Sequence, residues 1–270
     1  MNNLDTLIEN GLVVTENEIG HLNIGIKDGK IAYLGDENLN AEFKINASDL
    51  IVLPGGIDPH VHVDQPSGDD VIMADNFQSA TKSAAAGGNT TILPFAMQIK
   101  GQSLRKCVED YHKKAQGNMY IDTSFHLIIS DPTPQVLGQE LPALSKDGYT
   151  SFKVFMTYDD LVLNDKELIE VFDVAKQLKT LVMVHAEGYD SIKYLSDKFE
   201  KEGKTAPYYH APTRPQIVER EATHRAISHA QIVDIPLMIV HVSGEEALNQ
   251  IRWAKDKGIK VFSETCPQYI

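Results

Sequence analysis

From position 50 onwards, short apolar runs alternate with amphipathic stretches that have a helical period. The apolar runs cover positions 50–53, 90–93, 125–129, 152–155, 181–184, 237–240 and 259–262. The amphipathic stretches cover 77–86, 103–115, 135–145, 165–178, 214–233 and 244–257. Repeated strand-then-helix units predict a parallel sheet that is covered by helices.

Two architectures are built from such units, an open doubly wound sheet and a (β/α)8 barrel. No glycine-rich phosphate-binding motif follows the first run, which disfavours the nucleotide-binding type of open sheet. Polar side chains of the ligand type end several different runs, as in barrels, whose active sites lie at the carboxyl ends of the strands. The sequence therefore predicts an α/β protein with a TIM-like (β/α)8 barrel over 54–270, of which about seven strands are present and the eighth is missing.

The first 53 residues have a different pattern. Short β segments at 12–14, 22–26 and 31–34 are separated by turn-forming residues, and Asp28-Gly29 between two of them predicts a hairpin. We expect residues 1–53 to form a small antiparallel β unit that needs a partner to cover its apolar face.

Charge and composition exclude several classes of protein. The chain has 270 residues and a net charge of −13, which disfavours nucleic-acid binding because that needs basic patches. No apolar run reaches the length of a membrane span, and the polar, acidic N-terminus does not resemble a secretory signal. Two cysteines do not make a disulfide framework. We therefore expect a cytoplasmic protein with no nucleic-acid or membrane partner.

Four histidines occupy positions that suit a metal site. His60 and His62 are two residues apart, so in an extended chain both side chains point to the same side. His185 and His241 follow two of the buried runs, and neutral imidazole is a preferred zinc ligand. Ordinary hydrogen-bonded histidines remain the alternative for each one alone, although four at three strand ends are harder to explain in that way.

Lys153 lies inside the apolar run Phe152-Lys153-Val154-Phe155. A lysine is almost never buried without a partner, so a salt bridge or a side chain that extends to water are the structural alternatives. The functional alternative is an uncharged amine that has reacted with carbon dioxide, because burial and nearby cations lower the pKa of a lysine. The carbamate has two anionic oxygens, one for each of two metal ions.

These features resemble the dihydropyrimidinase and hydantoinase branch of the amidohydrolases. The resemblance is carried by an H-x-H pair after the first strand, a lysine after the fourth, and histidines after the fifth and sixth. It extends over the longer motifs at 54–62, 152–158, 184–187, 213–222 and 263–269. It covers nearly the whole chain.

The resemblance implies a binuclear site and a reaction. His60 and His62 would bind the more buried ion, His185 and His241 the more exposed one, and carboxylated Lys153 would bridge both. Zinc is the expected metal. A bridging hydroxide would open the ring of a dihydropyrimidine or a 5-substituted hydantoin to an N-carbamoyl amino acid.

The resemblance also implies roles for residues outside the metal site. Tyr158 would stabilise the oxyanion, with a surface tyrosine at a strand end as its structural alternative. The segments 64–74 and that following Lys153 would form loops that shape the substrate pocket. Asp190 and Arg214 match family positions, but we expect ion pairing or helix capping from them. A homo-oligomer, in the family usually a tetramer, is also implied.

The chain also departs from the family pattern. The aspartate that the family places after strand eight has no counterpart in the 270 residues, and neither have the β segments that complete the N-terminal sandwich. We therefore expect a C-terminally truncated sequence, a fragment of a longer enzyme. An allantoinase or dihydroorotase-like enzyme, a scaffold homologue similar to the collapsin-response mediator proteins, and a truncated, non-catalytic metal-binding chain remain alternatives.

Overall fold

The computed structural model describes residues 4–68 and 71–269. These residues form two compact units that divide between Gly56 and Ile57.

The first unit is a five-stranded sheet. Its strands are β1 (Leu4–Val14), β2 (Ile19–Lys27), β3 (Lys30–Gly35), β4 (Ala41–Asn46) and β5 (Ile51–Val52), in the order β3-β2-β1-β4, with β5 also paired to β1. The hairpin predicted at Asp28-Gly29 joins β2 to β3, and both of its residues have positive φ, as a tight two-residue turn requires. The expectation of a purely antiparallel unit is wrong, because β4 and β5 pair with β1 in the parallel direction.

The second unit contains a sheet in which neighbouring strands follow the order of the chain. Its strands are β6 (Gly56–Val61), β7 (Asn89–Met97), β8 (Asp122–Thr123), β9 (His126–Ile128), β10 (Ser151–Phe155), β11 (Leu181–His185), β12 (Leu237–Ile239) and β13 (Val261–Ser263). Their order is β6-β7-β9-β10-β11-β12-β13, and short β8 pairs with β7. A doubly wound sheet would reverse its strand order at a switch point. The sequential order and the parallel registers from β7 to β13 confirm the prediction of a TIM-like sheet.

In the described part of the chain, seven α-helices connect these strands. They are α1 (Phe77–Ala86), α2 (Leu104–Ala115), α3 (Leu141–Lys146), α4 (Asp165–Leu178), α5 (Tyr189–Lys201), α6 (Gln216–Val233) and α7 (Glu245–Asp256). One turn of π-helix, Val136–Glu140, leads into α3, and a 3-10 segment, Pro207–Thr213, precedes α6. Among the described residues, no helix combines the length and the apolar character that a membrane crossing requires.

The first strand of the barrel differs from the one expected. The apolar run 50–53 contributes Ile51–Val52 to the sheet of the first unit, and the barrel begins with β6 instead. Strand β6 contains Pro59 and alternates between intermediate and exposed positions, so it lacks the continuous apolar run typical of a buried parallel strand. As a result His60 lies within the first barrel strand and not after it.

The core of the second unit has two parts. The larger part lies between the sheet and the helices and contains residues such as Phe77, Phe152 and Phe172. The smaller one consists of Phe95, Ile128, Phe155, Met183 and Val240, near the carboxyl ends of the strands. Lys153 is the one charged residue among the largest fully buried side chains of the described chain.

Candidate active site

The sequence-predicted histidines come together at the carboxyl ends of the barrel strands. His60 lies in β6 and His62 follows the end of that strand, while His185 is the last residue of β11 and His241 follows β12. The ring centroid of His60 is 5.5 Å from that of His62 and 5.4 Å from that of His241. His185 and His241 are 4.5 Å apart by the same measure. Three separate strands thus bring four imidazoles to one place.

Lys153 lies in the middle of β10 and points into this group. It has no exposed surface, and its Nζ has no hydrogen-bond partner. The nearest aromatic rings are those of Phe95 and Phe155, whose centroids are 4.8 and 4.9 Å from Nζ. Burial lowers the pKa of Lys153 to about 7, against the opposing charge of Glu264. The amine is therefore partly uncharged at neutral pH.

Three of the histidines have one ring nitrogen engaged by a polar side chain outside the group. His60 Nδ1 contacts a carboxylate oxygen of Glu264. His62 Nδ1 lies 2.7 Å from Gln65 Oε1, and His185 Nε2 lies 2.7 Å from Glu187 Oε2. Each partner accepts a hydrogen bond from one ring N–H, so the lone pair of the other nitrogen is available.

The surroundings favour neutral imidazoles. Burial lowers the pKa of His62 to about 4 and that of His241 to about 2, and nearby charges contribute in the same direction. Burial also lowers the pKa of His185, although its hydrogen bond to Glu187 acts the other way. Neutral imidazole is the form that binds metal ions.

The four histidines differ in their exposure. His185 is buried, whereas His62 is exposed towards a cavity. Within 4–68 and 71–269, moreover, no three side chains drawn from His, Cys, Asp and Glu form a metal-binding group by themselves.

Tyr158 lies beyond the end of β10, beside His185. The centroids of the two rings are 5.2 Å apart, and Tyr158 has a left-handed backbone with φ of 72°. His241 is left-handed as well, with φ of 38°. Such conformations cost a non-glycine residue about 1–3 kcal/mol and concentrate at functional sites. Burial raises the pKa of Tyr158, with a further contribution from Glu187, so its hydroxyl group stays protonated and can donate a hydrogen bond.

A cavity of about 450 Å³ opens above these residues. Its volume is typical of small-molecule sites, which measure about 300–1,000 Å³. Its lining includes five of the six sequence-predicted site residues: His62, Lys153, Tyr158, His185 and His241.

The predicted loops take part in this cavity in different degrees. Gln65 of segment 64–74 lines the cavity. Tyr158 and Leu161, from the segment after Lys153, line it as well. Asp69 and Asp70 of the first loop lie outside the described residues.

Arg214 lines the same cavity, and its Nε lies 3.8 Å from Glu187 Oε1. Burial opposes the ionisation of Glu187, but its hydrogen bond with His185 and the charge of Arg214 lower its pKa. Asp190, in contrast, belongs to the first turn of α5, where an acidic residue favours the helix.

The loop that carries His241 is held by Glu219 of α6. Its carboxylate accepts hydrogen bonds from Ser243 N at 2.9 Å, Ser243 Oγ at 3.0 Å and Gly244 N at 2.8 Å. A Cβ at position 244 would lie 2.8 Å from Glu219 Oε2, so a side chain there would push the carboxylate out of its present position.

Four residues have supporting roles that were not predicted: Gln65, Glu187, Glu219 and Glu264. Each of them was visible only as part of a motif, and a hydrogen bond across the fold has no signal in a single sequence. Glu187 could have been suspected, because it follows His185 by two residues and can therefore lie on the same side of an extended chain.

Comparison with known proteins identifies the family of this chain. The chain is 46% identical over 268 residues to the D-hydantoinase of Ralstonia pickettii, covering 99% of this chain and 58% of that protein. It is 36% identical to the dihydropyrimidinase of Rattus norvegicus, covering 96% of this chain and 51% of the relative. A solved D-hydantoinase structure superposes with a TM-score of 0.95 at 46% identity, over 98% of this chain and 58% of that one. Residues 51–265, from the last strand of the first unit to the loop after β13, match the model of the amidohydrolase family, and the chain belongs to that family.

Proposed function

We propose that this chain supplies the metal-binding part of an enzyme that hydrolyses cyclic amides. The substrate would be a dihydropyrimidine or a 5-substituted hydantoin, and the product an N-carbamoyl amino acid. One observation carries the proposal: the unpartnered amine of Lys153 lies fully buried beneath four histidines. The chain spans about 58% of the length of the D-hydantoinases it matches, so the activity of the whole protein belongs to this proposal.

The donor set fits two metal ions that share one ligand. His60 and His62 would hold one ion, His185 and His241 the other, and a carbamate on Lys153 would bridge them. Because each ion would receive two histidines, each would need the carbamate as a third protein ligand. Zinc suits neutral imidazole and oxygen ligands.

Carbamate formation uses the uncharged amine. The nitrogen lone pair of Lys153 attacks the carbon of carbon dioxide. A new N–C bond forms, one C=O π bond breaks with its electron pair moving to oxygen, and the nitrogen loses one proton to water. A pKa lowered to about 7 makes the reactive form available at neutral pH. The carbamate also replaces an amine that has no hydrogen-bond partner with an anion that has two oxygens for ligation.

The remaining residues orient the substrate and stabilise charge. Bound zinc ions lower the pKa of water from about 15.7 to about 7 and so supply a nucleophile at neutral pH. The Tyr158 hydroxyl group donates a hydrogen bond to the oxygen of the ring carbonyl as it becomes negative. Arg214 and Glu187 line the cavity and can contact the polar edge of the ring.

The test compares Lys153→Ala with Lys166→Ala, which removes an exposed lysine of α4. We expect Lys153→Ala to lose bound zinc and ring-opening activity, with partial recovery when a short-chain carboxylate is added. Lys166→Ala should keep both properties. Full activity of metal-free Lys153→Ala protein would disprove the proposal.

A panel of dihydrouracil, 5-substituted hydantoins, allantoin and dihydroorotate distinguishes the alternatives. Because relatives of this chain are named D-hydantoinase and dihydropyrimidinase, we expect turnover of the first two kinds of compound. Preference for allantoin or dihydroorotate would instead support a related cyclic amidohydrolase. Zinc binding without turnover of any compound would support the truncated, non-catalytic metal-binding homologue.

The cytoplasmic location, the homo-oligomer and the longer native chain stay predictions of the sequence. The mass of the native protein from its own source tests the last two together. A subunit heavier than this chain in denaturing conditions would indicate a longer protein, and a multiple of the subunit mass in native conditions would indicate an oligomer.

A further inference from the structure

Gln65 lies between the imidazole of His62 and the backbone of β7. Its Oε1 is 2.7 Å from His62 Nδ1, and its Nε2 is 2.9 Å from the carbonyl oxygen of Phe95. The backbone N–H of Gln65 also donates to Met73 Sδ at 3.1 Å, which ties down the loop at this point. The amide group is thus held at both ends.

The chemistry of these contacts determines which way the amide faces. A backbone carbonyl oxygen can only accept a hydrogen bond, so the amide atom that faces Phe95 must be the nitrogen. The amide oxygen then faces His62. Because that oxygen can only accept, Nδ1 of His62 must carry the proton, and the lone pair of the neutral ring is on Nε2.

We infer that Gln65 is a positioning residue that sets the tautomer and orientation of His62 and so presents Nε2 to the metal. The inference rests on the ligand role of His62 in the proposed function. Phe95 supports it from two directions, since its carbonyl anchors the amide while its ring stacks on His62, with centroids 4.9 Å apart and an interplanar angle of 19°.

The corresponding partners of His60 and His185 are carboxylates, those of Glu264 and Glu187. His62 instead has a neutral acceptor that is itself fixed by the backbone. A glutamate at position 65 would still accept a strong hydrogen bond from Nδ1, whereas the thioether sulfur of a methionine of similar length is only a weak acceptor. This difference gives a matched pair of variants.

The first measurement is the tautomer of His62 in the metal-free full-length chain, from long-range ¹H–¹⁵N spectra. The His62 signals are assigned as those lost in His62→Gln. We expect an Nδ1–H imidazole in the unmodified chain and in Gln65→Glu. In Gln65→Met the Nδ1–H form should lose its dominance. The control Gln102→Met, whose side chain does not line the cavity, should leave the His62 signals unchanged.

The second measurement is zinc affinity by competition with a chromophoric chelator. Loss of such a supporting partner typically weakens metal binding by about 10–100-fold, and we expect this loss in Gln65→Met for one of two zinc ions. Circular dichroism and thermal melting of both methionine variants establish that they are folded. A dominant Nδ1–H form in Gln65→Met would overturn the inference, and so would a zinc affinity equal to that of the unmodified chain.

The two proposals can fail separately. If the unmodified chain binds no zinc, the proposed function fails, and the tautomer measurement alone decides the role of Gln65. If the unmodified chain binds two zinc ions and Gln65→Met binds them equally well, the inference on Gln65 fails and the proposed function stands.

Discussion

At the scale of single residues, Tyr158 combines the features of a hydrogen-bond donor to the reacting carbonyl. It is 42% exposed and lines the cavity beside His185, and partial burial raises further a pKa that already keeps the hydroxyl group protonated at neutral pH. Its backbone carbonyl accepts from Leu161 N at 3.0 Å and from Val162 N at 2.8 Å, which fixes the turn after β10. Backbone hydrogen bonds of this turn, in addition to packing of the ring, therefore fix the position from which the phenol extends.

Replacing Tyr158 with phenylalanine removes the donor and keeps the ring. Loss of one donor to a developing oxyanion typically lowers kcat by about 10²–10³-fold, and we expect this loss with unchanged zinc content. Steady-state kinetics on a hydantoin and metal analysis of the same sample check it. Tyr194→Phe, on an exposed ring of α5, is the control. A kcat within threefold of the original would assign Tyr158 to the surface alternative.

At the scale of elements, helix α2 begins with a cap supplied from another part of the chain. Glu140, at the end of the π-helical turn, accepts hydrogen bonds from Leu104 N at 2.6 Å and Gln135 Nε2 at 2.9 Å. Ser103 is the N-cap residue of the same helix. Burial alone would raise the pKa of Glu140, but the hydrogen bonds from these partners together lower it. The negative charge also favours the positive end of the helix dipole.

Glu140→Gln should lower the free energy of unfolding by about 1–2 kcal/mol near pH 7. Because the folded-state pKa of Glu140 lies below its usual 4.5, the stabilisation is complete above that pH. It is lost as pH falls through the folded value. Urea unfolding of both proteins from pH 7 to pH 3 measures this difference, which should shrink in acid. Glu109→Gln, exposed on α2, should show no such trend.

Glu219 offers a second test at this scale, because α6 positions the His241 loop through its carboxylate. Glu219→Ala leaves two backbone N–H groups without this acceptor, and we expect a loss of about 1–3 kcal/mol of stability. Zinc affinity should fall by about tenfold as His241 loses its support. Calorimetry and chelator competition measure the two effects. Equal losses in Glu245→Ala, an exposed residue of α7, would show that the effect does not come from the loop.

The elements differ in how well the sequence predicts them. Helix α4 has the bounds expected from its period, because Asn164 and Glu167 form a capping box and its apolar face is buried. Helix α5 was missed, since Gly188 provides no side-chain cap and Ile192 is its one buried residue. The run 50–53 predicts a strand correctly, but its partner is β1, and no local signal specifies which sheet a short strand joins.

At the scale of the whole second unit, the site depends on the curl of the sheet. Strands β6 and β13 are at opposite ends of the strand order, yet His60 of β6 contacts Glu264, which follows β13. The residues proposed as ligands come from β6, β10, β11 and the loop after β12. Metal ions at this place would therefore connect elements that are distant in sequence.

Zinc should for this reason raise the melting temperature of the chain. At free zinc about 1,000 times the dissociation constant, the folded state gains about 4.1 kcal/mol, which corresponds to about 8–16 °C for a unit of this size. Differential scanning calorimetry with zinc and after chelation measures the shift. Lys153→Ala should melt at the same temperature with and without zinc. A shift of equal size in that variant would mean that zinc binds elsewhere.

The sequence predicted the residues of the site better than it predicted the residues that hold them in place by hydrogen bonds. His60, His62, Lys153, His185 and His241 are recognisable because strand ends meet in a barrel and because a lysine inside an apolar run is unusual. Their binding roles stay predictions. The positions of Gln65, Glu219 and Glu264 depend on contacts between distant segments, and only the folded chain brings these together.

The left-handed backbone of Tyr158 costs stability, whereas its side chain is the one that the proposed activity needs. Glycine or asparagine would adopt a φ of 72° more readily, so selection for a more stable fold alone would favour them at this position. Neither residue has a phenol to direct at a carbonyl group. If Tyr158 has its proposed role, a variant stabilised by relaxing this turn would be a poorer catalyst, and thermostability screens of this chain should be run with an activity assay beside them.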